Sequence, residues 1–398
     1  MELPEVPDAY DPFVPVPDPF TPQAEMAARC PVHRIPGRPA VFVTGMRTVL
    51  DVLRDGERFS SRSLRPRADE LGTSLIHLDG EEHARQRRVV SRAFVPRVVN
   101  GMRPRVEQLA HDLVDGFCPT GTTDLVETFS GPLPSVVMAE ALGVPASDRS
   151  RFVHWADDAI ASVNVNERSP TDAAFRAYVL DRLEERRRQP GDDLISHIVH
   201  AEAGGDRLTT PQAVALVRLL LIAGIETTAN LIASLVRLLL EDRSRWEAVL
   251  ADRSLVSAAV EEALRLDPPL NWTPRLAVGD GGRIAGCPVE PGTVVLTGLG
   301  NANRDPSVHR DPDAFDLHRP APDGPAHVTF GFGAHYCLGA PLARLEAEVA
   351  LDVLLDRLPD LTIAEGWFFE PRGPQMMRGC KTLEVTFSPA ARRNSAVA

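Results

Sequence analysis

The feature that most limits how this chain can fold is one long apolar segment that begins near Thr210. Thr210 can cap a helix, Pro211 suits the first helical turn, and the apolar pattern continues to about Leu240. A helix of that length spans roughly 45 Å, the width of a domain. Its apolar residues lie on nearly all sides, which is typical of a central buried helix or of a membrane span. Polar residues inside the segment argue against a membrane span: Arg218, Glu226, Asn230 and Arg237.

The middle of this segment carries an acid and a hydroxyl side by side, Glu226 and Thr227. A carboxylate is costly to bury, so a functional role is the better interpretation than a purely structural one. Two residues before the acid, Gly224 removes a side chain where a ligand could approach the helix. The sequence therefore indicates a functional site on one face of the long helix.

A glycine-rich loop places one cysteine directly before another helical segment, because residues 330–339 read FGFGAHYCLG. Free N–H groups at a helix N-terminus favour a negative sulfur, so Cys337 is predicted to be a thiolate. Gly333 and Gly339 allow a flat ligand to approach closely, and Phe330 can shield the sulfur from water. One soft anionic ligand in an apolar setting suits haem iron. The alternative is a buried cysteine beside a turn.

Other ligand classes fit this chain less well. A dinucleotide fingerprint would need a third glycine at the position that Tyr336 occupies. The remaining cysteines form neither a CxxC nor a CxxCH pattern, so zinc, iron–sulfur and c-type haem sites are not indicated. These cysteines are Cys30, Cys118, Cys287 and Cys380.

The FxxGxxxCxG loop resembles the proximal cysteine loop of the cytochrome P-450 family, and the chain resembles that family over nearly its whole length. The resemblance implies a mainly α fold with a small β-rich lobe, and a haem b whose iron is bound by Cys337. It also implies that residues 223–228 are the oxygen-activation motif, in which Glu226 and Thr227 are catalytic and guide protons. Ile225 fills a position where many bacterial relatives carry histidine.

The resemblance also identifies side chains that would hold the haem. Four cations match the positions that bind its propionates: His83, Arg87, Arg275 and His335. Helix geometry supports the first two, because Asp79 can cap a helix with Glu82 three residues later, and residues four apart share one face. The cysteine loop completes the predicted cofactor site with Phe330, Gly333, Cys337 and Gly339.

Glu262 and Arg265 lie one helical turn apart and form an ExxR pair, which we assign to structure and not to catalysis. The family often adds an arginine from the segment before the cysteine loop. The matching position here is Ala314, so Arg319 or His318 would have to complete the triad.

Family topology places substrate contacts on several segments: Ile222, Ala223, Leu270, Asn271, Trp272, Met376 and Met377. The tryptophan and the methionines suggest an apolar substrate, whereas core packing is an equal alternative for them. In the 60–78 loop, Arg62, Arg65 and Arg67 could meet a carboxylate, but a solvated loop is the better interpretation.

Composition excludes some partners. The formal net charge of −12 disfavours nucleic acid as a ligand, since phosphate binding calls for a basic surface. The N-terminus has no signal-peptide or anchor pattern, so we expect a cytoplasmic protein without a membrane contact. Seven prolines within residues 1–22 favour an extended arm on the surface. All motifs would meet at one cofactor, which favours a single domain over residues 1–398.

These features predict a monooxygenase that inserts one oxygen atom of O2 into a small, largely apolar organic substrate. The resemblance implies electrons from NAD(P)H through a ferredoxin and its reductase. On a helix that contains His83 and Arg87, the opposite face would carry Arg85, Arg88 and Arg92, a basic stripe suited to an acidic ferredoxin. The alternatives are a haem-thiolate oxidase, peroxygenase or oxidative-coupling enzyme and, less favoured, a non-catalytic haem sensor.

Overall fold

Helices dominate the protein in a computed structural model, which describes residues 3–8, 10–64, 74–91, 94–165, 169–200, 207–373 and 376–393. The helices of these ranges are α1 (Phe20–Arg29), α2 (Met46–Arg54), α3 (Gly80–Ser91), α4 (Pro96–Gly101), α5 (Arg103–Phe117), α6 (Pro132–Ala141), α7 (Arg149–Val165), α8 (Asp172–Arg188), α9 (Leu194–His200), α10 (Thr210–Leu240), α11 (Arg243–Ala251), α12 (Val256–Leu266), α13 (Leu299–Ala302) and α14 (Ala340–Arg357). The strands are β1 (Val32–Arg34), β2 (Ala40–Val43), β3 (Phe59–Ser60), β4 (Thr122–Asp124), β5 (Trp272–Ala277), β6 (Gly282–Ile284), β7 (Cys287–Val289), β8 (Val294–Gly298), β9 (Thr362–Ile363) and β10 (Glu384–Thr386).

The long apolar helix predicted from the sequence is α10, and it forms the centre of the helical part. It packs against α6, α7, α8, α11, α12 and α14. Within the described ranges it is the one helix long and apolar enough to cross a membrane, but 72% of its most apolar window is buried inside the protein. That burial is typical of a core helix. The N-cap is Thr209, one residue earlier than predicted, because Thr209 and Gln212 form a reciprocal capping box.

The strands form three small sheets beside the helices. The largest has the order β1-β2-β8-β5-β3, in which β2 and β8 are parallel and the other neighbours are antiparallel. A three-stranded sheet has the order β4-β10-β9, and β6 and β7 form a hairpin. The strand-like patterns at 40–43 and 294–296 are therefore confirmed in β2 and β8, and β10 covers residues 384–386 of the pattern at 383–387.

The N-terminal arm differs from the prediction, because it is partly built into the core. Val6 and Tyr10 are only 5% and 2% exposed. The Val6 N–H donates to the Arg34 carbonyl, and the Trp272 indole N–H donates to the Pro12 carbonyl at 2.9 Å. The apolar side chains between the prolines thus have a buried partner surface, and the extended stretch ends at α1, which already begins at Phe20.

Candidate active site

The cysteine loop folds back on itself at two positions whose backbone conformation only glycine adopts without strain. Gly331 and Gly333 have positive φ angles of 70° and 71°. A side chain at Gly333 would also stand 3.1 Å from the Leu53 carbonyl oxygen. The resulting loop lets the Cys337 N–H donate to the Phe330 carbonyl at 2.8 Å. The aromatic residue and the cysteine are therefore held together by the backbone.

The thiol of Cys337 lies at the N-terminus of α14, as the sequence predicted. Burial raises the pKa of the thiol above its usual value, while hydrogen bonds from the Gly339 and Ala340 N–H groups and the charges of Arg87 and Arg344 oppose that rise. The side chain is nevertheless exposed. This setting suits a thiolate ligand to a buried cofactor.

The four predicted cations come together beside this loop. The His83 and His335 rings have centroids 4.1 Å apart, and His335 Nε2 lies 3.5 Å from an Asp79 carboxylate oxygen. Arg87 donates to the Tyr336 carbonyl, next to Cys337. Arg275 lies close enough for its charge to add to the burial that lowers the pKa of His335. Residues of α3, β5 and the cysteine loop thus form one cluster. Arg87 and Arg275 carry its positive charge, because burial lowers the pKa of His83 and lowers that of His335 to about 4.

Two atoms of this cluster test whether haem carboxylates fit it. His83 Nε2 is buried and has no hydrogen-bond partner among the described residues. Arg275 is only 6% exposed, and its guanidinium donates to the Pro274 carbonyl and weakly to Thr273 Oγ1. Burial lowers the pKa of Arg275 to about 10. A buried donor and a buried cation that form no ion pair with any residue of the described ranges are the arrangement that a carboxylate-bearing cofactor would complete.

Asp79 does not serve as the simple helix cap that its position suggests. Its carboxylate accepts hydrogen bonds from Ser60 Oγ at 2.5 Å and from the Ser61 N–H at 3.1 Å. Glu82 in turn binds Arg85 and Gln86 within α3. Asp79 therefore fixes the start of α3 against the sheet, which still leaves His83 and Arg87 on one side of the helix.

The acid and the alcohol of α10 have different surroundings. Thr227 Oγ1 donates to the Ala223 carbonyl at 2.6 Å, and Ala223 is exposed although most of this helix is buried. With the half-buried Ile222, these residues form an open stripe on α10. Gly224 faces α6, where a side chain would stand 2.4 Å from the flexible Cε end of Met138.

Glu226 is only 7% exposed and lies beside the C-terminal segment, where a side chain at Gly373 would stand 3.8 Å from Glu226 Oε1. Burial raises the pKa of the Glu226 carboxyl. The charge of Arg372 opposes this rise, and the charge of Asp157 adds to it. Sequence reasoning missed Arg372 and Asp157, because neither stands in a motif and both are distant from Glu226 along the chain.

The ExxR pair is buried and forms a network with the segment before the cysteine loop. Arg265 binds Glu262 through two hydrogen bonds of 2.8 Å. Arg319 Nε donates to Glu262 at 2.9 Å, so Arg319 and not His318 completes the triad. Ala314 contributes its backbone carbonyl, which accepts from Arg265 at 2.9 Å. The network ties α12 to the irregular 303–323 segment.

The structure separates the predicted substrate residues into two groups. Asn271 and Trp272 are 0% and 6% exposed, and Trp272 packs edge-on against Phe13 of the N-terminal arm. Their burial favours the core-packing alternative that the sequence left open for Trp272, while the assignment of both residues to the substrate stays a prediction. Leu270 and Met377 are half-buried and form an isolated β-bridge. Met376 is also half-buried and packs against the apolar cluster that contains Val6 and Tyr10 of the N-terminal arm. Of the arginines in the 60–78 loop, Arg62 is exposed, while Arg65 and Arg67 lie outside the described residues.

Comparison with known proteins decides the family. The cytochrome P-450 family model matches residues 168–359. The cytochrome P-450 monooxygenase PikC of Streptomyces venezuelae is 35% identical over 92% of this chain and 91% of that protein. The chain belongs to the cytochrome P-450 family. The mycinamicin IV hydroxylase/epoxidase of Micromonospora griseorubida is a further relative, 39% identical over 84% of this chain and 86% of that protein.

Solved structures agree with this assignment. A cytochrome P-450 of Chondromyces apiculatus matches with a TM-score of 0.87 and 36% identity, covering 94% of this chain and 96% of that one. The mainly α fold predicted from the sequence is thus confirmed as the cytochrome P-450 fold. The protein is a haem-dependent monooxygenase, an oxidoreductase that uses O2, a small-molecule substrate and redox partners.

Proposed function

We propose that this cytochrome P-450 hydroxylates or epoxidises a small, largely apolar organic molecule of secondary metabolism. The observation that carries the proposal is the open stripe on α10, where the apolar Ile222 and Ala223 stand next to the Thr227 hydroxyl. Such a stripe presents apolar surface to a substrate and a proton-relaying group to the reaction at the same place. The name of the Micromonospora relative describes both reaction types.

Each part of the site has a separate role in this proposal. The Cys337 thiolate holds the iron of haem b, and His83, Arg87, Arg275 and His335 hold its carboxylates. The haem supplies the iron centre for oxygen chemistry. Burial raises the pKa of the Glu226 carboxyl, so this carboxyl keeps its proton to a higher pH than an exposed glutamate does. Thr227 Oγ1 passes protons from the acid side of α10 to the open stripe.

Labelled dioxygen tests the reaction type. The haem-loaded protein, supplied with NAD(P)H and surrogate redox partners, is screened for substrates by the spectral shift of the haem. With a substrate found in this way, the product is expected to carry one labelled oxygen atom. An unlabelled, coupled product would identify an oxidative-coupling enzyme, and activity with peroxide but not with O2 would identify a peroxygenase. Spectral binding without turnover would identify a sensor.

We further propose that the electron donor is an acidic ferredoxin that binds near α3, with a ferredoxin reductase and NAD(P)H behind it in the cytoplasm. The basic stripe is smaller than the sequence suggested. Arg85 forms an ion pair with Glu82 at 2.7 Å and donates a hydrogen bond to Gln212, so it is not a free cation. Arg92 lies outside the described residues. Arg88 is exposed, and no ion pair joins it to another described residue.

Replacing Arg88 by Glu is therefore expected to slow reduction by an acidic ferredoxin several-fold at low salt, because charge reversal weakens electrostatic steering. The difference should shrink as ionic strength rises. Stopped-flow reduction measures both effects. The matched control is Arg176→Glu, an exposed arginine on α8. Equal rates for the two variants at low salt would place the docking surface elsewhere.

A further inference from the structure

An ion-pair cluster that plays no part in the proposed chemistry lies directly behind the cysteine loop. Arg344 of α14 donates to Glu261 of α12 through two hydrogen bonds, Nε to Oε1 at 2.5 Å and Nη2 to Oε2 at 3.0 Å. The same carboxylate lies 3.1 Å from His327 Nε2. Arg344 and Glu261 are about one-third exposed, so water screens their charges only in part.

This cluster touches Phe330, the residue that the sequence predicts to shield the sulfur. The Arg344 guanidinium carbon lies 4.5 Å from the centre of the Phe330 ring, a cation–π contact. Its Nη1 is 3.5 Å from the Tyr336 hydroxyl. The carbonyl of Phe330 accepts the Cys337 N–H, so the guanidinium, the ring and the cysteine form one continuous assembly. Glu261 orients the guanidinium from its far side.

We propose that Arg344 and Glu261 act as a pair that sets the reduction potential of the haem from the cysteine side. A positive charge near the thiolate ligand stabilises the more electron-rich, reduced form, so Arg344 raises the potential. Glu261 partly cancels that charge and limits the rise. Arg344 is a positioning and tuning residue and touches neither the substrate nor the iron. The inference rests on the proposal that Cys337 binds the haem iron.

The two members of the pair make the inference testable, because they differ in sign. Arg344→Gln and Glu261→Gln break the same ion pair, so a merely structural role would move every property in the same direction. A tuning role predicts opposite shifts. Without Arg344 the local charge becomes more negative, and without Glu261 it becomes more positive.

The experiment is a spectroelectrochemical titration of the haem-loaded protein without any redox partner. Arg344→Gln is expected to shift the midpoint potential to a more negative value, and Glu261→Gln to a more positive one. Arg344→Lys, which keeps the charge, should stay closer to the unaltered protein than Arg344→Gln. A matched control is the ion pair Arg253 and Asp356, 2.9 Å apart near the other end of α14. Its variants, Arg253→Gln and Asp356→Asn, should leave the potential unchanged.

Shifts of the same sign for Arg344→Gln and Glu261→Gln, or no shift in either, would overturn the inference and leave a structural ion pair. The failure of the ligand assignment has a different signature. If the reduced carbonyl complex of the unaltered protein lacks the spectrum of a thiolate ligand, Cys337 is not the ligand and this inference fails with it. If that spectrum is present, the ligand assignment holds, and the midpoint potentials of the variants then test the tuning role by themselves.

Discussion

Replacing Cys337 by serine is expected to abolish the red-shifted band that thiolate ligation gives to the reduced carbonyl complex. A serine hydroxyl stays neutral near pH 7 and is a hard, weak ligand, whereas the Gly339 and Ala340 N–H groups stabilise a negative sulfur at this position. Monooxygenase turnover should be lost together with the band. Difference spectroscopy of the reduced carbonyl complex measures the first effect, and product analysis measures the second.

Two controls separate the loss of the ligand from the loss of the fold. Circular dichroism should show unchanged helix content in Cys337→Ser, because the substitution is nearly isosteric and lies in a loop. Cys118→Ser removes a buried cysteine of the helical core and should keep the band. A Cys337→Ser protein that retains the thiolate band would show that the ligand assignment is wrong.

Replacing Thr227 by alanine is expected to divert reducing equivalents away from the product. The Thr227 hydroxyl is the polar group of the open stripe on α10, and the proposed function gives it the transfer of protons to that stripe. A positioned proton-transfer group contributes about a hundredfold or more to a reaction, so product per NAD(P)H should fall on the order of tenfold to a hundredfold. The lost electrons should appear as peroxide or water. The measurement uses a substrate that has no hydroxyl near the oxidised position.

Folding and binding should not change in this variant, because alanine suits a helix and Thr227 is only half-buried. Haem content and the substrate-induced spectral shift are therefore the internal controls. Thr227→Ser keeps the hydroxyl and should retain most of the coupling. Full coupling in Thr227→Ala would remove the threonine from the proton path.

Local patterns carried most of what the sequence could predict. The loop that ends at Cys337, the long α10 and the pairing of Glu262 with Arg265 depend on residues close together in the chain. Turn chemistry and helical spacing determine such features directly. The meeting of His83 with His335 is a long-range contact, and only the family resemblance predicted it.

Three expectations changed for one physical reason: a sequence does not show which residues pack against a given side chain. Trp272 was assigned to the substrate, but the N-terminal arm covers it. Arg85 was counted in the basic stripe, but it pairs with Glu82 one turn earlier and also donates to Gln212 of α10. Gly224 suggested ligand approach, but Met138 occupies that side of the helix. Trp272 and Gly224 meet residues that are distant in the chain, whereas Arg85 has one near and one distant partner.

The parallel pairing of β2 with β8 also determines when the largest sheet can form during synthesis on the ribosome. Phe42 of β2 pairs with Leu296 of β8, and all four residues of β2 are buried in the finished sheet. About 250 residues separate the partners, so at 5–20 residues per second β8 is synthesised roughly 10–50 s after β2. During that interval β2 lacks its central partner and presents an apolar strand to the cell. Chaperone binding to the nascent chain should therefore concentrate around residues 40–43 until translation passes β8.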